Sequence, residues 1–340
     1  MSVEDSLFDI REVKKVLFEQ YGINVAKVKR INRGSANIYE IYSDDAHYIM
    51  KEFQRKINME NVQTEYNVVN HLKKYEINTP EYCLNKSGEI CFNHKNKMVI
   101  LQKYIEGNVL ETNKSTKEQI IESINLLGKI IKALEDYEYE LPYFKRYIMT
   151  QKLCDKDIFN IEQLILKTNN TEVKEILNEK RDILLKLRNL NFDWQDKLTI
   201  KKSHGDFTVS QFIYDKENKI NAILDFVATR NIPVAREIIR NYFFMAKEIK
   251  KQKIDFKFFL EYVKEFMKIY ELNYYDLQYM PLLYLIELSR TVYGYEQFIN
   301  NNSAEYLKLG NQLYNQCKCL EKNYQELSER LIKLKNRRNQ

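Results

Sequence analysis

Glycine is scarce, eight in 340 residues, yet no segment is repeated or of low complexity, so the Asn- and Lys-rich composition is a bias and not disorder. Cysteine is nearly as sparse: five residues without a Cys-x-x-Cys pair. Cys83, Cys91 and His94 lie close in sequence but lack a fourth ligand at finger spacing, which excludes a zinc module. All five, Cys317 and Cys319 included, read as reduced thiols of a cytoplasmic protein. No run of 18 apolar residues exists, so no membrane span is expected. The first nine residues carry three acids and no apolar stretch, which is not the pattern of a secretory signal. Neither charge sign dominates either. Lys+Arg number 54 against Asp+Glu 48, a net charge of +6, and the two are interspersed. A nucleic-acid surface would cluster its charge, so none is expected. The one basic run, Lys333–Arg338, reads as a solvated end.

What is present suits a sizeable core: 44% of residues are hydrophobic and 30% charged, over a length that allows two domains or one bilobal one. Apolar positions at helical spacing predict a first helix over Asp9–Tyr21, with Gly22 as its stop. The period then shifts towards two. Strands are predicted over Val28–Asn32, Ile38–Ser43 and Tyr48–Phe53. Arg33-Gly34-Ser35-Ala36-Asn37 is a small-residue turn between the first two, whose backbone amides could bind phosphate oxygens. By strict alternation Lys51 shares a strand face with Ile49 and Phe53, and a lysine there needs an acceptor. The next helix, Asn58–Lys74, offers one. Val62, Val69 and Leu72 form its apolar stripe, and Glu65 falls on that stripe. Asn78-Thr79-Pro80 stops the helix, and a hairpin over Glu81–Phe92 and Lys97–Tyr104 completes a sheet of about five strands. Beyond it the chain turns helical. Thr116-x-x-Gln119 is a capping box, and helices follow near 116–135, 157–166, 173–190, 234–247, 256–270, 275–299 and 305–335.

The segment Lys202–Arg240 concentrates the chemistry. Gln211–Tyr214 and Ile220–Leu224 flank the polar Asp215–Lys219 as a short β-hairpin. Asp206 precedes it and Asp225 follows it, nineteen positions apart (225 − 206). A hairpin returns the chain, so the two carboxylates can converge. Such a pair suits phosphoryl transfer, one aspartate orienting a hydroxyl and the other holding Mg²⁺.

His204-Gly205-Asp206 and Leu224-Asp225-Phe226 resemble the catalytic loop and metal motif of the aminoglycoside phosphotransferase and choline kinase family, relatives of protein kinases. The likeness covers about Val28 to Arg240, with turn, Lys, Glu, hinge and both motifs in order. It implies an α+β, bilobal, protein-kinase-like fold: a β-rich lobe over 1–103 and a helical lobe with the acceptor pocket over 104–340. It implies ATP and Mg²⁺ as cofactors and a small-molecule hydroxyl acceptor as the partner. Asp206 would be the base and Asp225 a metal ligand. Gly34 and Ser35 would cover the phosphates, and Lys51, paired with Glu65, would position them. Ile105-Glu106-Gly107 resembles the family's hinge, so backbone near Gln102 and Tyr104 would meet adenine. Gln211 stands where the family has Asn and would hold a second metal or the base loop. Val227 and Ala228 stand where many members carry an acid. These departures leave a nucleotide-binding pseudokinase or interaction module as the alternative. The acceptor stays open among aminoglycoside-like antibiotics, amino alcohols and sugars. A polycation would want acids such as Asp155, Asp157, Glu237, Glu261 and Glu265. Arg236, Glu237 and Arg240 would serve the acceptor or pair on the helix surface.

Overall fold

A capping box opens the first helix. Asp9 accepts from the Arg11 and Glu12 amides while Glu12 accepts from the Asp9 N–H, which satisfies donors that a helix start leaves free. This helix, α1 (Ile10–Tyr21), ends at Gly22, whose φ of 73° is the left-handed stop that the sequence predicts. The structure, a computed structural model, describes residues 4–31, 36–44, 46–145 and 148–336.

After α1 come β1 (Val25–Ile31), β2 (Asn37–Ser43), β3 (His47–Glu52), α2 (Met59–Lys73), β4 (Tyr82–Cys83), β5 (Phe92–His94) and β6 (Lys97–Lys103). The strands form one antiparallel sheet in the order β1-β2-β3-β6-β4, with β5 also on β6. Side chains alternate across it. On one face Val13 and Leu17 of α1 pack with Tyr39, Ile41, Met50, Val99 and Leu101. On the other Val62 of α2 packs with Phe53, Tyr82, Cys91 and Ile100. Cys83, half-buried, and Cys91, buried, therefore belong to opposite faces, which suits two packed thiols and not a shared ligand set.

The chain continues through α3 (Lys117–Ala133), α4 (Gln151–Lys167), α5 (Thr171–Leu187), β7 (Ile200–Ser203), the hairpin β8 (Phe212–Tyr214) and β9 (Ile220–Ile223), then β10 (Arg230–Pro233). Five helices follow: α6 (Val234–Met245), α7 (Phe256–Ile269), α8 (Tyr274–Arg290), α9 (Tyr293–Asn301) and α10 (Ala304–Asn336). Thr116 and Gln119 form the capping box expected at the start of α3. Two expectations need correction. The helix predicted from Asp157 begins at Gln151, because Thr150 caps it six residues earlier. The single helix predicted over 275–299 is α8 and α9. Thr291 leaves the helical conformation at ψ 102°, its hydroxyl donating to the Glu287 carbonyl. Among the described residues no helix is long and apolar enough to cross a membrane.

The chain forms two compact units. One is the chain up to Val109 together with Gln211–Thr229; the other is Leu110–Ser210 with the chain from Arg230 onward. A single cut after residue 103 therefore does not describe it. The β8–β9 hairpin is bonded into the sheet unit: Asn108 and Tyr214 exchange backbone hydrogen bonds of 2.8 and 2.7 Å, and the Ile223 N–H donates to the Asn78 carbonyl at 3.1 Å. Gly107 permits this approach. Its φ is 146°, and a Cβ there would overlap the Tyr214 backbone, so the Glu-Gly pair after β6 has a steric reason.

Candidate active site

In the sheet unit Lys51 sits at the end of β3, opposite Ile38 of β2 and Ile100 of β6, on the face that α2 covers. It is buried, as is Glu65 on α2. The two interact through space and not as a direct ion pair. Burial raises the Glu65 carboxyl above its ordinary pKa, the Lys51 charge works against that rise, and the Asp225 charge adds to it. Lys51 and Asp225 thus both lie within electrostatic reach of Glu65. The Phe226 N–H donates to Glu65 Oε1 at 3.2 Å, tying the residue after Asp225 to α2.

Asp225 stands one residue, Leu224, beyond the end of β9 and has φ 63° and ψ 68°. A left-handed aspartate costs of order 1 kcal/mol, a strain typical of functional positions. Buried Phe226 and half-buried Val227, packed against the α2-side core, hold it there. Phe212 pairs with Ile223, and the Leu224 N–H donates to the Gln211 carbonyl at 2.9 Å. Gln211 and Asp225 therefore flank the same end of the hairpin.

Gln102 of β6 lies opposite Ile49 and Tyr82. Gln102 Nε2, Glu65 Oε2 and the Tyr82 hydroxyl are buried without a hydrogen bond of good geometry among the described residues. Tyr82 was missed in the sequence. Its place opposite Gln102 depends on strand register, and burial, with Glu65 beside it, pushes its phenol well above the ordinary range. The backbone beyond Gln102 is less available than the hinge resemblance implies. The Lys103 N–H donates to the Glu81 carbonyl and the Tyr104 N–H to that of His47, at 2.8 and 3.0 Å. The Tyr104 ring stacks on His47 at 3.7 Å. Gly34 and Ser35 lie outside the described residues.

In the helical unit β7 leads into His204-Gly205-Asp206. Gly205, at φ 81°, turns its N–H onto Glu237 Oε2 at 3.0 Å, and the Ser203 hydroxyl donates to the same oxygen at 3.1 Å. Glu237 also accepts from Arg236 Nη1 at 3.0 Å, and Arg236 forks onto both oxygens of Glu287 at 2.6 Å each. All three charged groups are buried. Burial works against the Arg236 charge, but Glu287 and Glu237 outweigh it and hold the guanidinium protonated. Arg236 and Glu237 are therefore placed as internal anchors of the loop. His204 is also buried, and its Nδ1 accepts the Asp206 N–H at 3.3 Å, a loop-fixing contact. Thr208 and Ser210 bond each other at 2.9 Å. Asp206 is 39% exposed, and Arg240 Nη2 donates to its Oδ1 at 2.6 Å. Sequence spacing gave no signal for Glu287, and only proximity on α6 for Arg240.

Among the described residues no three His, Cys, Asp or Glu form a metal cage by themselves. Were Asp225 and Gln211 the only protein ligands, their oxygens would suit a hard cation that completes its shell with water and phosphate oxygens.

No curated protein sequence matches the chain. Solved structures do. An amicoumacin kinase in complex with AMP-PNP, Ca²⁺ and Ami matches at TM-score 0.62 and 15% identity, covering 92% of this chain and 93% of that one. A spectinomycin phosphotransferase in complex with ADP and spectinomycin matches at 0.65 and 14%, covering 96% and 100%. A microcompartment-associated aminopropanol kinase matches at 0.63 and 12%, covering 95% and 100%. At such identities the likeness is one of fold, here a small β-sheet region followed by a larger helical part. The family model described as the phosphotransferase enzyme family (APH) matches residues 27–252, well over half of the 340. With that span, and with Lys51, Glu65, Asp206 and Asp225 all inside it, the chain belongs to the phosphotransferase enzyme family.

Proposed function

We propose that this phosphotransferase moves the γ-phosphoryl group of Mg·ATP to a hydroxyl of a small molecule. The observation that carries the reading is the Glu65 carboxyl, buried on α2 within electrostatic reach of Lys51 and Asp225 and not in direct ion pairing with Lys51. A fold without a charged ligand has little reason to bury that group, because an incompletely paired buried charge costs several kcal/mol. The named relatives fit this reading: two were solved with a nucleotide or its analogue, one of them with a divalent cation, and the three are named as kinases or phosphotransferases of an antibiotic or of aminopropanol.

Each residue then has a role. Lys51, oriented by Glu65, would bind phosphate oxygens. Asp225 and Gln211 would hold Mg²⁺, which when bound neutralises charge on the phosphates. Gly34 and Ser35 would cover the phosphates with backbone amides. Gln102 would line the base end. With the Lys103 and Tyr104 amides engaged, the adenine edge would meet the connector at Ile105–Glu106. Asp206 would accept the proton of the acceptor hydroxyl as it attacks. Reduced cysteines and ATP as co-substrate suit a cytoplasmic enzyme.

Calorimetric titration with Mg·ATP tests the nucleotide half. Lys51→Ala, Glu65→Ala and Asp225→Asn should each weaken binding roughly tenfold or more. The last change is chosen because Asn tolerates the left-handed conformation. The Lys51/Glu65 double variant should fall short of additivity by about 0.5–3 kcal/mol; full additivity would separate the two residues. Glu65→Gln adds a distinct readout. A carboxyl whose folded pKa is raised gives stability that is present at low pH and lost as pH rises through that value. The nucleotide-free Gln variant should therefore melt no lower than the wild type near neutral pH while binding Mg·ATP less well. A clear fall in melting temperature would mean that the carboxylate is a structural element only.

A further inference from the structure

We propose that the acceptor carries an oxyanion, a carboxylate or a phosphate, close to the hydroxyl that is phosphorylated, and that Arg240 binds it. The inference rests on the reading that Asp206 receives the acceptor hydroxyl.

Arg240 Nη2 already donates to Asp206 Oδ1 at 2.6 Å, so a hydroxyl docked on this carboxylate comes to rest beside a guanidinium. Unit charges about 4 Å apart near a protein surface interact appreciably, and the Asp206 carboxylate offsets the Arg240 charge only in part once it bonds the hydroxyl. That term opposes a cationic acceptor and favours an anionic one. The guanidinium is only partly committed: Nη1 is buried without a hydrogen bond among the described residues. An unmet donor of this kind carries a cost that an oxyanion can remove. The group is also held in place, stacked on the Phe244 ring at 4.8 Å from its centroid and 15% exposed. Asp206 is within electrostatic reach of a second arginine, Arg230 on β10.

The acids that would welcome a polycation are spent. Asp155 pairs with Arg188 at 2.5 Å, Asp157 with Arg290 at 2.5 Å, Glu265 with Lys268 at 2.6 Å and Glu237 with Arg236 at 3.0 Å. Of the five acids the sequence offered, only Glu261 is in no ion pair among the described residues. Arg240 and Arg230 both lie within reach of Asp206, and the carboxylates of Glu237 and Glu287 are buried and neutralised by Arg236.

Matched pairs of acceptors test this: serine against ethanolamine, homoserine against 3-aminopropan-1-ol, glycerate against ethylene glycol, and glycerol 3-phosphate against glycerol. ADP release and phosphorylated product are measured with Mg·ATP for the wild type, Arg240→Gln and Arg240→Lys. The anionic member of a pair should be favoured by roughly 10²-fold in kcat/KM, with the carboxylate and phosphate pairs showing which oxyanion is used. Arg240→Gln should erase the preference mainly through KM, and Arg240→Lys should keep part of it, because Lys retains the charge without the fork. Preference for the uncharged or cationic member overturns the inference, and so does an anionic preference that survives Arg240→Gln. Melting temperatures with each compound give a readout that needs no turnover. Anions should stabilise the wild type and not Arg240→Gln, and absence of any such difference also overturns the inference. Loss of both Mg·ATP binding and transfer across all pairs would instead strike at the phosphotransferase assignment beneath it.

Discussion

Asp206→Ala is expected to lower kcat by roughly 10²–10⁴-fold while leaving Mg·ATP affinity nearly unchanged. The residue is partly exposed on a loop whose neighbours are fixed: Gly205 is bonded to Glu237, and the Asp206 amide to His204. Removing the carboxylate therefore deletes a proton acceptor without disturbing a core. Asp206→Asn, nearly isosteric, should fall almost as far, since an amide keeps the shape but not the basicity. Both variants leave Lys51, Glu65 and Asp225 in place, so calorimetry with Mg·ATP should still report a nucleotide site. Turnover equal to the wild type would remove Asp206 from its role as base.

Glu287→Ala is expected to cost about 3–5 kcal/mol of stability, the scale for breaking one side of a buried ion pair. Arg236 and Glu287 are nearly inaccessible, at 5% and 10% side-chain exposure, and share a two-pronged contact. Truncating Glu287 leaves the guanidinium with Glu237 alone. That loss should spread to the loop, because Glu237 also holds Ser203 and Gly205. Thermal unfolding and kcat should therefore both fall. The triple change Arg236→Met, Glu237→Gln and Glu287→Leu separates the two effects, the Gln sparing the site a buried carboxylate left without its cation. A well-packed apolar pair should restore much of the stability, whereas the loop loses one of the contacts that fix it, so activity should remain low. Unchanged melting in Glu287→Ala would show that the pair does not support the fold.

The sheet was legible because its signals are local. Alternation placed Met50 and Lys51 on opposite faces, and helical spacing placed Glu65 on the stripe with Val62. The capping boxes at Asp9 and Thr116 are four-residue patterns that the structure reproduces. What could not be read depends on pairings between distant segments. Glu287 lies 81 positions beyond Asp206 (287 − 206) and looks like any acid on a helix. Tyr82 becomes a neighbour of Glu65 and Gln102 only once β4 is set against β6. The hairpin after Asp206 belongs with the sheet because Asn108 meets Tyr214, which no composition or period announces. Gln211 and Val227 looked like departures from a motif. Val227 turns out to pack against the core beside Phe226, so apolar character there has a structural use.

Phosphorus NMR of the purified chain with Mg·ATP and the acceptor panel tests the central claim most directly. The account predicts that the γ-phosphorus signal of ATP is replaced, one for one with ADP, by a phosphomonoester signal, and that Asp206→Asn abolishes this conversion. ATP left intact across the panel despite measurable Mg·ATP binding, or ADP formed with inorganic phosphate alone, would contradict it.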